Sequence, residues 1–154
     1  MQKLLSVLAV IRSFRTVRKL AYKKNDKEDI INIINLHNRK FGQIDNLTKL
    51  YLYTHKNRSL YTIIKDDVCI AYALYIARDN NEIHLKGIAV EDNYLGKGFA
   101  KKILSDSISE LGIFFKIISL NVVSDNTGAI SLYKSFGFVI ESENEDEISM
   151  ILKK

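Results

Sequence analysis

Two glycines one residue apart, Gly96-Lys97-Gly98, stand between two contrasting stretches. Before them, His84-Leu85-Lys86-Gly87-Ile88-Ala89-Val90 reads as a buried strand. After them comes an amphipathic helix carrying Phe99, Ala100, Ile103 and Leu104. Such an order can bind an anion. Glycine admits φ > 0 and close approach of the main chain, so successive N–H groups can converge on a phosphate. The first turn of the helix adds unpaired donors and the positive end of its dipole.

Spacing separates this loop from other phosphate binders. A P-loop has four residues between its glycines and a Lys-Ser/Thr pair after them. A dinucleotide fingerprint needs a third glycine where Lys101 stands, and an acidic residue about twenty positions further on. The stretch instead resembles the acetyl-CoA signature of the GNAT superfamily of N-acetyltransferases, Gln/Arg-x-x-Gly-x-Gly/Ala, in the form Asn93-Tyr94-Leu95-Gly96-Lys97-Gly98. Asn93 departs from the usual Gln or Arg; this weakens one contact and leaves the backbone arrangement intact.

A second block lies at the right distance downstream. Asn121-Val122-Val123-Ser124-Asp125-Asn126-Thr127-Gly128-Ala129-Ile130-Ser131-Leu132-Tyr133-Lys134-Ser135-Phe136-Gly137-Phe138 is similar to the superfamily's strand, Asn cap, Ala and Leu/Phe-Tyr-x-x-x-Gly-Phe. Singly these residues have ordinary uses, Asn126 as a helix cap, Tyr133 as a half-buried ring and Gly137 as a helix terminator. Together with the glycine loop they carry the resemblance, which covers residues 17 to 152.

The resemblance implies a fold and a site. The fold is α/β, with a mixed central sheet of six to seven strands, about four flanking helices, and a splay between the fourth and fifth strands. Acetyl-CoA is then the cosubstrate. Its pantetheine would pair with Ile88, Ala89 and Val90, and its pyrophosphate would rest on the N–H groups of Leu95, Gly96, Lys97, Gly98, Phe99 and Ala100. Asn126 and Tyr133 complete the coenzyme set. A primary amine attacks the thioester directly in a ternary complex, and a strand N–H, that of Ile88, stabilises the oxyanion. The leaving thiolate needs a proton at a pKa near about 8.5, which a phenol near about 10 can supply; Tyr133 is the matching residue. The amine must also lose a proton. Where many members carry a Glu on the fifth strand, this chain has Asn121, which cannot act as a base. On the fourth strand it has His84, whose ordinary pKa suits the task. A non-catalytic acyl-CoA sensor or interaction module is the alternative function, favoured by the missing Glu and opposed by the retained Tyr133.

Local patterns supply the elements that must hold these residues. Val17 to Lys23 alternates as a first strand. Asn25-Asp26 caps a helix whose buried face is Ile30, Ile33, Ile34 and Phe41, with Gly42 as its stop. A second helical stretch runs from Leu47 to His55. Ser59–Lys65 and Val68–Arg78 form a hairpin across Asp66-Asp67. The central strand follows, then the glycine-opened helix, which ends near Gly112. A strand from Phe115 to Val123, a short helix capped at Asn126, and strands at Phe138–Glu141 and Glu147–Leu152 complete an α/β layer pattern.

Composition bounds the remainder. The 154 residues suit one domain of ordinary hydrophobic content, 47%, with no proline. Seven basic and no acidic residues fall within positions 1–25, leaving 16 basic against 18 acidic beyond them. The net charge of +5 therefore belongs to an N-terminal arm and gives no reason to expect nucleic-acid binding. Residues 1–16 form a basic amphipathic extension, with 17–154 the single domain. The extension fits a helix packed on its own domain or on a second copy, an organelle transit peptide, or a membrane-surface helix. A cytoplasmic monomer or homodimer is the default expectation. Cys69 reads as a buried lone thiol. His37, His55 and His84 are too dispersed to suggest a metal site. Glu141, Glu143, Glu145, Asp146 and Glu147 place five carboxylates in seven residues at the last turn, either a solvated hairpin or a field that attracts a cationic amine such as a peptide N-terminus, a lysine or a polyamine.

Overall fold

The computed structural model describes residues 16–20, 27–41, 58–66 and 68–154. Residues 1–15 of the expected extension and the helical stretch at 47–55 lie outside them. Among the described residues seven strands form one mixed sheet: β1 (Thr16–Leu20), β2 (Arg58–Lys65), β3 (Val68–Ala77), β4 (Glu82–Val90), β5 (Ile117–Val123), β6 (Val139–Glu143) and β7 (Glu147–Lys153). Their spatial order is β1-β2-β3-β4-β5-β7-β6. All neighbouring pairs are antiparallel except β4 with β5, which is parallel. The helices among the described residues are α1 (Lys27–Phe41), α2 (Phe99–Leu111) and α3 (Thr127–Ser135).

A parallel pair cannot be joined by a tight turn, so the chain leaves β4, runs back through α2 and enters β5. The apolar face of α2 explains where that crossover lies. Phe99, Ile103, Leu104, Ile108 and Leu111 pack with Ile83, Leu85, Ile118 and Leu120 on one side of the sheet, and Tyr133 and Phe138 join the same cluster. On the other side Ile33 and Leu36 of α1 bury Leu60, Tyr72, Leu74 and Ala89. With a helix on each face, β3 is buried along most of its length, which accounts for its uninterrupted apolar run Cys69–Tyr75. Complete burial of a side chain such as Ile103 or Leu104 contributes about 1.5–3 kcal/mol.

Strand ends differ from the sequence reading where turns compete. β5 starts at Ile117, because Phe115 donates its N–H to Leu111 O at 2.9 Å and so closes the end of α2. The β2–β3 hairpin turns at Asp66, whose φ of +50° is tolerated by Asp better than by most residues. Cys69 is buried, with its thiol directed at Ala71 O, 3.3 Å away. Among the described residues no helix is long and apolar enough to cross a membrane.

Candidate active site

The site exists because β4 and β5 part company. They pair only from Glu82–Ile117 to Leu85–Leu120. Beyond that point β4 stays on β3 as far as Val90, and β5 stays on β7 as far as Val123. A cleft of about 420 Å³ opens in the gap, lined by residues that include His37, His84, Ile88, Asn121, Asn126 and Tyr133.

A bulge drives the separation. Tyr75 lies opposite Leu85 and Leu74 opposite Gly87, so Lys86 has no partner on β3. One extra residue bends the strand and increases its twist. The helix above packs closely on the bend: a Cβ on Gly87 would lie at contact distance, 3.4 Å, from both His37 Cε1 and the Tyr72 hydroxyl. His37, 1% exposed, is hydrogen-bonded through Nδ1 to that hydroxyl. In the last turn of α1, Arg39 and Lys40 form ion pairs with Glu91 and Asp92, just beyond β4.

The lip along β4 and the glycine loop is made of main chain. Glu91 donates its N–H to Ile70 O on β3 at 2.8 Å. Successive residues of an antiparallel strand point their polar groups to opposite sides, so Val90 and Ile88 direct theirs into the gap, and Ala89 toward β3. Ahead of α2, Gly96 (φ +70°) and Gly98 (φ +82°) hold left-handed conformations, with nothing within 4 Å of a Cβ placed on either. No side chain caps α2 and no acidic residue occupies its first turn. Its first intrahelical bond runs from Lys102 N–H to Gly98 O, 3.0 Å, so the preceding N–H groups lie outside the ladder. Leu95 differs from the sequence expectation, because its N–H is already engaged by Asp92 O at 3.2 Å in a 3₁₀ turn. Lys65 and Lys97 lie 5.2 and 5.4 Å from the Tyr94 ring centre and place two cations beside the loop.

α3 supplies the floor of the cleft. Asn126 caps it as its sequence position suggests, accepting the Ala129 N–H at 3.1 Å. Tyr133, on the buried face, packs its ring against Phe138 at 5.9 Å. Burial pushes its hydroxyl up to about 12, so the phenol is protonated throughout the ordinary pH range.

The β5–β7 lip, and the base of the cleft where β4 still pairs with β5, carry side chains. Asn121 accepts from Ser149 Oγ at 3.0 Å. His84 Nδ1 lies 2.9 Å from Ser119 Oγ, and that hydroxyl donates to Glu82 Oε1 at 2.5 Å. Arg78 donates to the same carboxylate oxygen at 3.0 Å. Burial above all, then the Arg78 charge, lowers His84 to about 4; Glu82 opposes this and Lys86 adds to it. The imidazole is thus neutral and a weaker base than an unperturbed histidine. Glu147, at the mouth, lines the cleft, and the exposed Glu141, Glu143, Glu145 and Asp146 surround the same turn.

Sequence reasoning missed two members of this arrangement. His37 comes to the cleft from α1, one helical turn past Ile33 on the buried stripe, and that spacing was the available signal. Ser119 reaches His84 through parallel register, for which no local pattern exists, whereas Glu82 shares the strand and the face of His84 two residues away. Among the described residues no group of three or more His, Cys, Asp or Glu side chains could hold a metal ion.

Known proteins share this framework. Over 66 residues the chain is 35% identical to a spermine/spermidine N(1)-acetyltransferase of Bacillus subtilis, a match covering 42% of this chain and less than half, 43%, of that relative's length. The fold superposes on the ribosomal-protein-S18-alanine N-acetyltransferase of Escherichia coli with a TM-score of 0.74 and 20% identity, covering 90% of this chain and 93% of that one. It also superposes on a GNAT family acetyltransferase of Elizabethkingia anophelis with acetyl-CoA bound, at a TM-score of 0.68 and 17% identity, covering 93% and 100%. The model of the acetyltransferase (GNAT) family matches residues 28–138, which span the helix above the bulge, the splayed strands and both signature blocks, and the chain belongs to that family.

Proposed function

We propose that this GNAT acetyltransferase moves the acetyl group of acetyl-CoA to a cationic primary amine by direct attack in a ternary complex. The observation that carries the reading is the early end of β4–β5 pairing, which opens one cleft between the polar edge of Ile88 and Val90, Tyr133 and His84. The residues present fit the coenzyme. Space is open where Gly96 and Gly98 lack side chains, donors precede α2, and lysines stand nearby. Acetyl-CoA supplies the activated acyl group. The chain contributes the Ile88 N–H, directed at developing negative charge on a carbonyl oxygen. It also contributes a phenolic proton at Tyr133. That proton is weakly acidic, but a thiolate leaving into the same dry floor is disfavoured for the same reason and is the stronger acceptor for it. His84 receives the proton of the attacking nitrogen. At a pKa of about 4 it is poorly matched to a free ammonium near about 10. The attacking species is therefore the neutral fraction of the amine, whose first proton goes to solvent, and His84 takes the second proton as the new C–N bond makes that nitrogen acidic.

Support for a cationic acceptor comes from the exposed carboxylates around the β6–β7 turn, with Glu147 at the cleft, and from the partial match to a polyamine acetyltransferase. A negative field concentrates cations in a salt-dependent way. Replacing Glu143, Glu145 and Asp146 by Gln, Gln and Asn should raise the KM for spermidine or a basic peptide by roughly 3–10-fold and flatten its salt dependence. The KM for acetyl-CoA should stay within error. Acetyl transfer is read by thiol release, and an acceptor KM and salt slope that both stay unchanged would refute the cationic-acceptor reading.

A further inference from the structure

We infer that Ser119 and Glu82 form a positioning relay that holds His84 in one tautomer, with Nδ1 protonated and Nε2 presented to the acceptor as a lone pair. The inference deepens the acetyl-transfer reading and rests on it for its catalytic part. Its structural part stands independently.

The bonding follows from counting protons. Ser119 is 5% exposed and has one hydroxyl proton. A carboxylate only accepts, so the 2.5 Å contact with Glu82 Oε1 takes that proton. The hydroxyl oxygen then meets His84 Nδ1 at 2.9 Å as an acceptor, which requires Nδ1 to carry hydrogen. The neutral ring has one N–H, so Nε2 is left with its lone pair, and His84 lines the cleft. When the acceptor nitrogen bonds to the acyl carbon, its proton moves to Nε2. The resulting imidazolium keeps its Nδ1 proton on Ser119, and no further proton moves along the chain. Glu82 stabilises that cation through the serine, while Arg78 on the same oxygen limits how far it can do so. Lys86 on β4 acts against the cation. His37 of α1 lines the same cleft.

Proximity alone is a weaker criterion for such a relay than energetic coupling, so the test is a double-mutant cycle with a spectroscopic arm. Nitrogen-15 histidine spectra of the full chain should show His84 as the Nδ1–H tautomer in the wild type, and Ser119→Ala should shift it toward Nε2–H. Ser119→Ala should lower kcat roughly 10-fold, leave acetyl-CoA affinity by calorimetry unchanged, and be rescued in large part by Ser119→Thr. His84→Ala should lower kcat by roughly 10²-fold or more. Adding Ser119→Ala to His84→Ala should cost nothing further. A wild-type Nε2–H tautomer, or a Ser119→Ala effect of equal size with and without His84, would overturn the relay. If no amine is acetylated by the wild type, the acetyl-transfer reading fails while the tautomer spectra still decide the positioning.

Discussion

The two lips of the cleft are made of different material. Along β4 beyond the bulge the polar groups are main chain: Ile88, Val90 and the N–H groups that precede α2. On the β5–β7 side and at its junction with β4 they are side chains: Asn121, Glu147 and His84, the first backed by Ser149 and the last by Ser119. A main-chain lip needs only the right dihedral angles, so its sequence can vary wherever glycine is not required. Every polar contact on a side-chain lip depends on residue type. A coenzyme common to many enzymes suits the first kind of surface, and an acceptor particular to one enzyme suits the second.

The largest effect should come from the floor between the lips. Tyr133→Phe removes one hydroxyl from a well-packed ring, so turnover should fall about 10²–10⁴-fold with little change in acetyl-CoA affinity or stability. Turnover near that of the wild type would make the residue a packing element only. Next in size is damage confined to the main-chain lip. Gly98→Glu should weaken acetyl-CoA binding on the order of 10²-fold, because it sets a like charge where phosphate should rest. At φ +82° any side chain also strains the loop by roughly 1–2 kcal/mol. Gly98→Ala shares that strain without the charge and should lose far less affinity. Equal losses in calorimetry would show that the lip works by conformation alone. The smallest effect belongs to the side-chain lip and is a matter of pH. His84 titrates near about 4 when folded and near about 6.5 when unfolded, so between these values the unfolded chain binds more protons. Stability should therefore fall as pH drops through that window. His84→Gln should make the fall in Tm shallower by on the order of 2–4 °C. Parallel Tm–pH curves for the two proteins would count against a buried neutral imidazole.

The difference between the lips also explains what could be read from sequence. Gly96 and Gly98 announced a left-handed loop because few other residues adopt it, and Asn126 announced a cap because the Ala129 N–H is three residues away. Both are local facts. The bulge at Lys86 was not legible, since it is defined by what β3 places opposite β4. Nor was the Ser119 link between Glu82 and His84, since Ser119 lies 37 and 35 positions from them and arrives only when the parallel register is set. His84 itself was found from its strand, but its ordinary pKa was assumed. Burial and Arg78 change that value, and neither is visible in the residues next to it.

The Arg39–Glu91 and Lys40–Asp92 pairs tie the last turn of α1, and with it the position of His37, to the turn that leads into the glycine loop. In the language of linked equilibria, these two contacts bound how strongly the glycine loop and α1 can communicate by that route. Each pair is largely exposed on at least one side, so each is worth no more than about 1 kcal/mol. Together they can carry about 2 kcal/mol, a factor of roughly 30 in affinity. A ligand on the loop that shifts the turn can alter binding against α1 through them by no more than that factor. The second ligand must then return the same factor to the first.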